Sequence, residues 1–278
     1  MRRWIVGLVL VALAATWFYA RRDTVDGNAA VLAMIDSGKL DLVATPVGPT
    51  EVRITVTRPA GSADPVGFVV PAGTVVFPSK AGEQRMVIAV ALAVDLGAGQ
   101  QSRDYTVEAY CLDQFLDPPA LDSSLSFRGS SGDSGEGTRV VSDVGIDLGE
   151  LMPCLDRQGG SHAQQQFALW LVEGNYPDRT APEAEEEIAQ KYDAKLREET
   201  EAALRGDFRR RFLARMPGAS VEAVDRALED FIARELGAKV KERANQMARK
   251  DIEGMRDPAV RAMLGNCKVD TSGNSLFI

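Results

Sequence analysis

Cys111 and Gln166 are the residues of this chain whose types and surroundings allow covalent chemistry. Cys111 ends a strand-like run, Ala109-Tyr-Cys-Leu-Asp113, and Gln166 lies in a helix-like run, Gln165-Gln-Phe-Ala-Leu-Trp170. A thiol that attacks the side-chain amide of a glutamine expels ammonia and leaves an internal thioester. That attack needs a thiolate and a polarised carbonyl, and the product survives only where water is kept away. Tyr110 and Trp170 stand next to the reacting residues and can supply aromatic cover. His162, the one histidine of the chain, lies a helical turn before Gln166 and could act as a local base.

Other fates for these side chains follow from the same residues. The three cysteines are Cys111, Cys154 and Cys267, and an exported chain with three favours one disulfide and one thiol left over. A Cys111–Cys154 disulfide would stabilise by roughly 3–4 kcal/mol through loop closure. Cys111 could instead be a buried free thiol. Phe167, Trp170 and Leu171 share a helix face that could simply pack on a sheet, with Gln164 to Gln166 on an exposed face. A single histidine gives a zinc site or a Ser-His-Asp set almost nothing to draw on. The Gly132-Asp-Ser-Gly135 and Arg205-Gly-Asp207 strings carry no supporting constellation, and Asp143 and Asp147 read as solvated loop acids. No catalytic residue, metal or cofactor is expected, and the chain reads as a non-enzyme.

The elements that must position these residues sit within 278 residues of ordinary apolar content. Net charge is −8 and the isoelectric point near 4.9, which argues against nucleic acid as a partner. Residues 4–20 run apolar between Arg2-Arg3 and Arg21-Arg22, at the lower edge of spanning length, with Trp4 at one end and Trp17, Phe18 and Tyr19 at the other. Residues 1–23 therefore read as a signal-anchor that leaves the bulk of the chain outside the cytoplasm. A signal peptide cleaved near Ala12-Leu-Ala14, giving a secreted chain, is the alternative.

Residues 24–39 read as a stalk or short helix. From 40 to 113 the pattern is β: Val52, Ile54 and Val56 alternate with Arg53, Thr55 and Thr57, and Tyr105, Val107 and Ala109 alternate with Thr106, Glu108 and Tyr110. Met86 to Val94 is continuously apolar, so both faces should be buried. Short strands between Gly, Pro and Asp turns predict an Ig-like antiparallel β-sandwich, with a packed helix near 162–174 completing a domain over 40–175. Residues 114–160 read as loop-rich.

Residues 176–278 read as a charged helical region. Thr180-Ala-Pro-Glu183 is a capping-box signature opening a helix to about Gly206, and Pro217-Gly218 separates it from a helix capped at Ser220. Val224, Leu228, Phe231, Ile232 and Leu236 form the apolar stripe of that second helix. Pro258 opens a short last helix. The long helices could pack as a hairpin or bring two copies together as a homodimer. The fold class expected is thus α+β: a sandwich followed by helices and preceded by one anchor helix.

The pair of segments Tyr110-Cys-Leu-Asp113 and Gln165-Gln-Phe-Ala-Leu-Trp170 resembles the motifs of the bacterial thioester domains of surface adhesins. In that family an aromatic-Cys-apolar motif comes first and a Thr-Gln-x-Ala-apolar-Trp motif later. Cys111 matches the thiol position and Gln166 the amide position. Ala168, Leu169 and Trp170 match the remainder, and Gln165 stands where threonine is usual. The resemblance covers about a dozen residues. It implies a β-domain with a helical part and an acyl group able to capture an amine on a target surface. Two expectations stand side by side: a membrane-anchored interaction or scaffold protein meeting a protein partner at the cell envelope, and a covalent surface-binding module built on Cys111 and Gln166.

Overall fold

The computed structural model describes residues 27–127, 147–173, 180–232 and 237–269. Helix α1 (Gly27–Asp36) is followed by β1 (Asp41–Gly48), β2 (Glu51–Thr57), β3 (Val66–Val70), β4 (Val75–Pro78), β5 (Met86–Ile88), β6 (Leu92–Leu96), β7 (Ser102–Cys111) and β8 (Leu125–Ser126). Helices α2 (Leu148–Gln158), α3 (His162–Glu173), α4 (Ala181–Arg215), α5 (Val221–Phe231), α6 (Gly237–Met255) and α7 (Pro258–Asn266) complete the chain.

Six strands close into an antiparallel barrel in the order β1-β2-β7-β5-β4-β8, and β3 pairs with β6 as a separate ribbon. This corrects the expected Ig-like sandwich. Alternation places Val52, Ile54 and Val56 of β2 inside, but period two is the same for a sandwich face and a barrel wall. Closure depends on β8, whose two residues bridge β1 at Ala44↔Leu125 and β4 at Phe77↔Ser126. No periodicity marks a strand that short.

The anchor assigned to residues 1–23 lies outside the described residues, and no helix among the described residues is long and apolar enough to cross a membrane. The architecture found is a barrel with helices, without the expected anchor helix among its described elements. Within residues 24–39, α1 buries Val31 in the barrel core, with Leu32, Met34 and Ile35 against the same cluster.

Strand β7 separates two cores. Val107, Ala109 and Cys111 belong to the barrel interior, whereas Tyr110 and Leu112 belong to a second core shared with α2, α3, α4, α6 and α7. The same division splits the apolar run at 86–94: Met86 and Ile88 join the barrel core and Val87 the helical one. Two glycines permit the close packing between layers. At Gly254 of α6 an added Cβ would fall 2.3 Å from the Phe167 ring, so α6 can lie tightly on α3 only without a side chain there.

Gly73, in the β3–β4 turn, has φ +80°, and a Cβ would fall 2.4 Å from the Gly149 nitrogen at the start of α2. A left-handed L-residue costs roughly 1–2 kcal/mol, and here the clash with backbone adds to it. Gly73→Ala is therefore expected to lower unfolding stability by at least about that amount, read from the urea midpoint at unchanged slope.

The helical half follows its capping signals. Glu183 N–H donates to Thr180 Oγ1 at 3.4 Å, and Thr180 N–H donates to Glu183 Oε2 at 2.9 Å. Ser220 accepts from Ala223 N–H at 3.3 Å. Helix α4 runs past Gly206 to Arg215. Helix α2 lies inside the stretch read as loop. Asp147 is its N-cap, accepting from Gly149 N–H at 2.8 Å, and Pro153 sits within it.

Candidate functional site

The site is built where β7 outlasts its neighbour. The register of β2 and β7 ends at Glu51↔Glu108, and Ala109 N–H still reaches Thr50 O at 3.0 Å. Beyond that point Cys111, two residues on, has no β2 backbone beside it. The Gln166 side chain from α3 takes the missing strand's place. Cys111 N–H donates to Gln166 Oε1 at 3.0 Å, and Gln166 Nε2–H donates to Cys111 O at 2.7 Å. Trp170 Nε1–H donates to the same carbonyl at 3.0 Å. Gln166 and Trp170 are one helical turn apart, so one face of α3 supplies all three bonds.

The neighbouring residues hold this strand end. Arg85 and Asp113 form an ion pair with Nη2–Oδ1 at 2.6 Å, reinforced by Arg85 N–H donating to Asp113 Oδ2 at 2.8 Å. Gln114 Nε2–H donates to Asp251 Oδ2 on α6 at 2.8 Å. Residues 111, 113 and 114 are thus fixed to α3, to the residue before β5 and to α6.

Beside the pair lies a polar cluster. The Tyr110 hydroxyl lies 2.9 Å from Gln165 Oε1 and 3.0 Å from Glu108 Oε1, and its single proton serves one of them at a time. His162 stacks on the Tyr110 ring at 4.2 Å, with Nδ1 3.0 Å from Glu108 Oε1. Burial first, then Glu108, pushes the Tyr110 hydroxyl pKa up, so it stays protonated. His162, expected as a base at Cys111, is directed by these contacts toward Glu108. Gln165, where threonine is usual in the family motif, is buried and holds Tyr110.

Cys111 is the free cysteine among the described residues, and the disulfide joins Cys154 to Cys267. This corrects the expected Cys111–Cys154 pair. Helix α2 turns Leu148, Leu151, Met152 and Leu155 into the core and leaves Cys154 beside the end of α7, while Cys111 points into the barrel. Burial, and secondarily the charge of Asp113, pushes the Cys111 thiol up to about 11. Among the described residues no cluster of His, Cys, Asp or Glu could hold a metal ion.

Sequence reasoning brought forward Cys111, Gln166, Tyr110, Trp170 and His162, and these five do gather at one strand end. It missed Glu108, Arg85, Asp113 and Asp251, which join the cluster through strand register and helix packing. Asp113 was the one within reach, since it lies in the Cys motif itself.

Asp251 is nearly buried and accepts from Tyr192 Oη–H at 2.5 Å as well as from Gln114. Desolvation raises its pKa, against the hydrogen bonds from Tyr192 and Gln114, which lower it. The folded carboxyl therefore holds its proton more tightly than the unfolded one. Its contribution favours folding below the ordinary carboxylate range and is lost as pH rises through the folded pKa. Denaturation of wild type and Asp251→Asn between about pH 4 and pH 7 is expected to show wild type losing ground to the variant as pH rises.

No family model, curated protein or solved structure matches the chain.

Proposed function

We propose that the chain is an extracytoplasmic interaction module that binds its target covalently through an internal thioester between Cys111 and Gln166. The observation that carries this is the two-point seating of the Gln166 amide on the Cys111 backbone. Cys111 N–H polarises the amide carbonyl, as a donor must where negative charge develops on that oxygen. In the forming step Cys111 Sγ bonds to Gln166 Cδ, the Cδ–Nε2 bond breaks, and the thiol proton leaves on Nε2 as ammonia. In the capture step an amine nitrogen bonds to Cδ and the Cys111 thiol is released. The protein acts once per molecule and is not an enzyme.

Trp170 and Tyr110, flanking the pair, suit the exclusion of water. The Cys154–Cys267 disulfide suits an oxidising compartment outside the cytoplasm.

A second reading, a non-covalent interaction or scaffold module, is favoured by the thiol. Cys111 lies among the barrel-core residues with its pKa at about 11, so its sulfur must turn about the Cα–Cβ bond to meet Gln166. Incubation with a fluorescent primary amine separates the two. Covalent labelling of wild type, absent from Cys111→Ala and Gln166→Ala, supports the covalent module. An unlabelled wild type leaves the non-covalent one.

A further inference from the structure

We infer that the α4–α5 hairpin is a docking surface for a second copy of this chain. The shared helical core takes in α4 side chains only as far as Leu196. From there to Arg215 the helix continues for about 28 Å at 1.5 Å per residue. The rest of the hairpin is held by its own contacts: Phe208 stacks on Phe212 at 5.7 Å and meets Phe231 of α5 at 5.8 Å, while Val224 and Leu228 are buried. The hairpin nevertheless leaves apolar surface in water. Leu213, Met216, Val221 and Phe231 are 38, 56, 50 and 38 % exposed. They are four of the seven exposed large apolar residues among those described, and apolar surface gathered this way marks an interaction site.

Charge selects the occupant. Residues 208–221 hold four arginines and no acid, whereas α5 holds Glu222, Asp225, Glu229 and Asp230 against Arg226 alone. Arg209 and Leu213 of α4 and its C-cap Met216 recur at helical spacing along one face. On α5, Val221, Asp225 and Glu229 do the same. The Phe208–Phe231 contact sets the two helices level, so Arg209 stands at the height of Glu229 and Met216 near that of Val221.

A two-fold axis along the hairpin would place the α4 face of one copy on the α5 face of the other, apolar on apolar and Arg209 on Asp225 and Glu229, twice over. Such self-complementarity is what an isologous dimer requires. Nucleic acid or an anionic bilayer would meet the acidic α5 beside the same apolar residues.

Sedimentation velocity of the full chain tests this with exposed residues whose replacement spares the core. Wild type is expected to dimerise, and Met216→Glu with Val221→Glu to weaken the dimer about tenfold or more. Arg209→Glu alone, and Asp225→Arg with Glu229→Arg alone, should each be monomeric, and mixing the two should restore a dimer. That restoration also shows both variants to be folded. A monomeric wild type, a dimer indifferent to the apolar changes, failure of the mixture to associate, or binding to phosphatidylserine vesicles by a monomer would each overturn the inference.

Discussion

Replacing Cys154 and Cys267 together by alanine is expected to remove about 4–5 kcal/mol of unfolding stability and to lower the melting temperature by roughly 10–15 °C. The magnitude follows from the span. The bond closes a sequence separation of 113 residues, so its removal frees most of the helical half in the unfolded ensemble. It ties the outer side of α2 to the end of α7, two helices that also meet where Asn266 Nδ2–H donates to Gln158 Oε1 at 2.8 Å. The check is urea denaturation of wild type, reduced wild type and the double variant. Reduced wild type and the variant should coincide. A loss below about 1 kcal/mol would mean that the helical half retains most of its order without the bond.

Gln166 carries the second large effect, because it holds a strand end and supplies an acyl group. Gln166→Ala leaves Cys111 N–H without its acceptor, at a cost of about 1–3 kcal/mol, although Trp170 still serves the Cys111 carbonyl. Gln166→Glu retains an acceptor but sets a carboxylate oxygen against the carbonyl that Nε2 now meets at 2.7 Å, and is expected to be no better. Cys111→Ala keeps every backbone bond of the clamp and should cost only about 1 kcal/mol. Stabilities are compared with wild type already opened by methylamine, so that a covalent link does not enter the difference. Amine capture should be absent from all three variants. Stability and capture are thus lost together at Gln166 and separately at Cys111, and a greater destabilisation by Cys111→Ala than by Gln166→Ala would contradict the clamp.

Where local rules decide, residues alone told much. The alternation of Val52, Ile54 and Val56, the Thr180–Glu183 box and the Ser220 cap each depend on neighbours within a few positions, and each stands in the structure. The approach of Cys111 and Gln166 was legible from motif likeness rather than from periodicity. Barrel closure was not legible, because it turns on Leu125–Ser126 meeting strands some 50 to 80 residues earlier. Helix α2 was masked by Pro153 and by the Gly/Ser-rich stretch before it. The disulfide partner of Cys154 depends on how α2 and α7 pack, which three cysteines in a sequence cannot reveal. The pairing of Glu108 with His162 likewise appears only once β7 and α3 lie side by side.

The intact mass of the chain purified without amines or reductant bears most directly on Cys111 and Gln166. The covalent account predicts a mass below that of the fully reduced sequence by two hydrogens, for Cys154–Cys267, and by one ammonia. Methylamine should then add once, with release of a titratable Cys111 thiol. A mass short of two hydrogens alone, with methylamine inert, would contradict it and leave the Gln166 amide as a clamp on the end of β7.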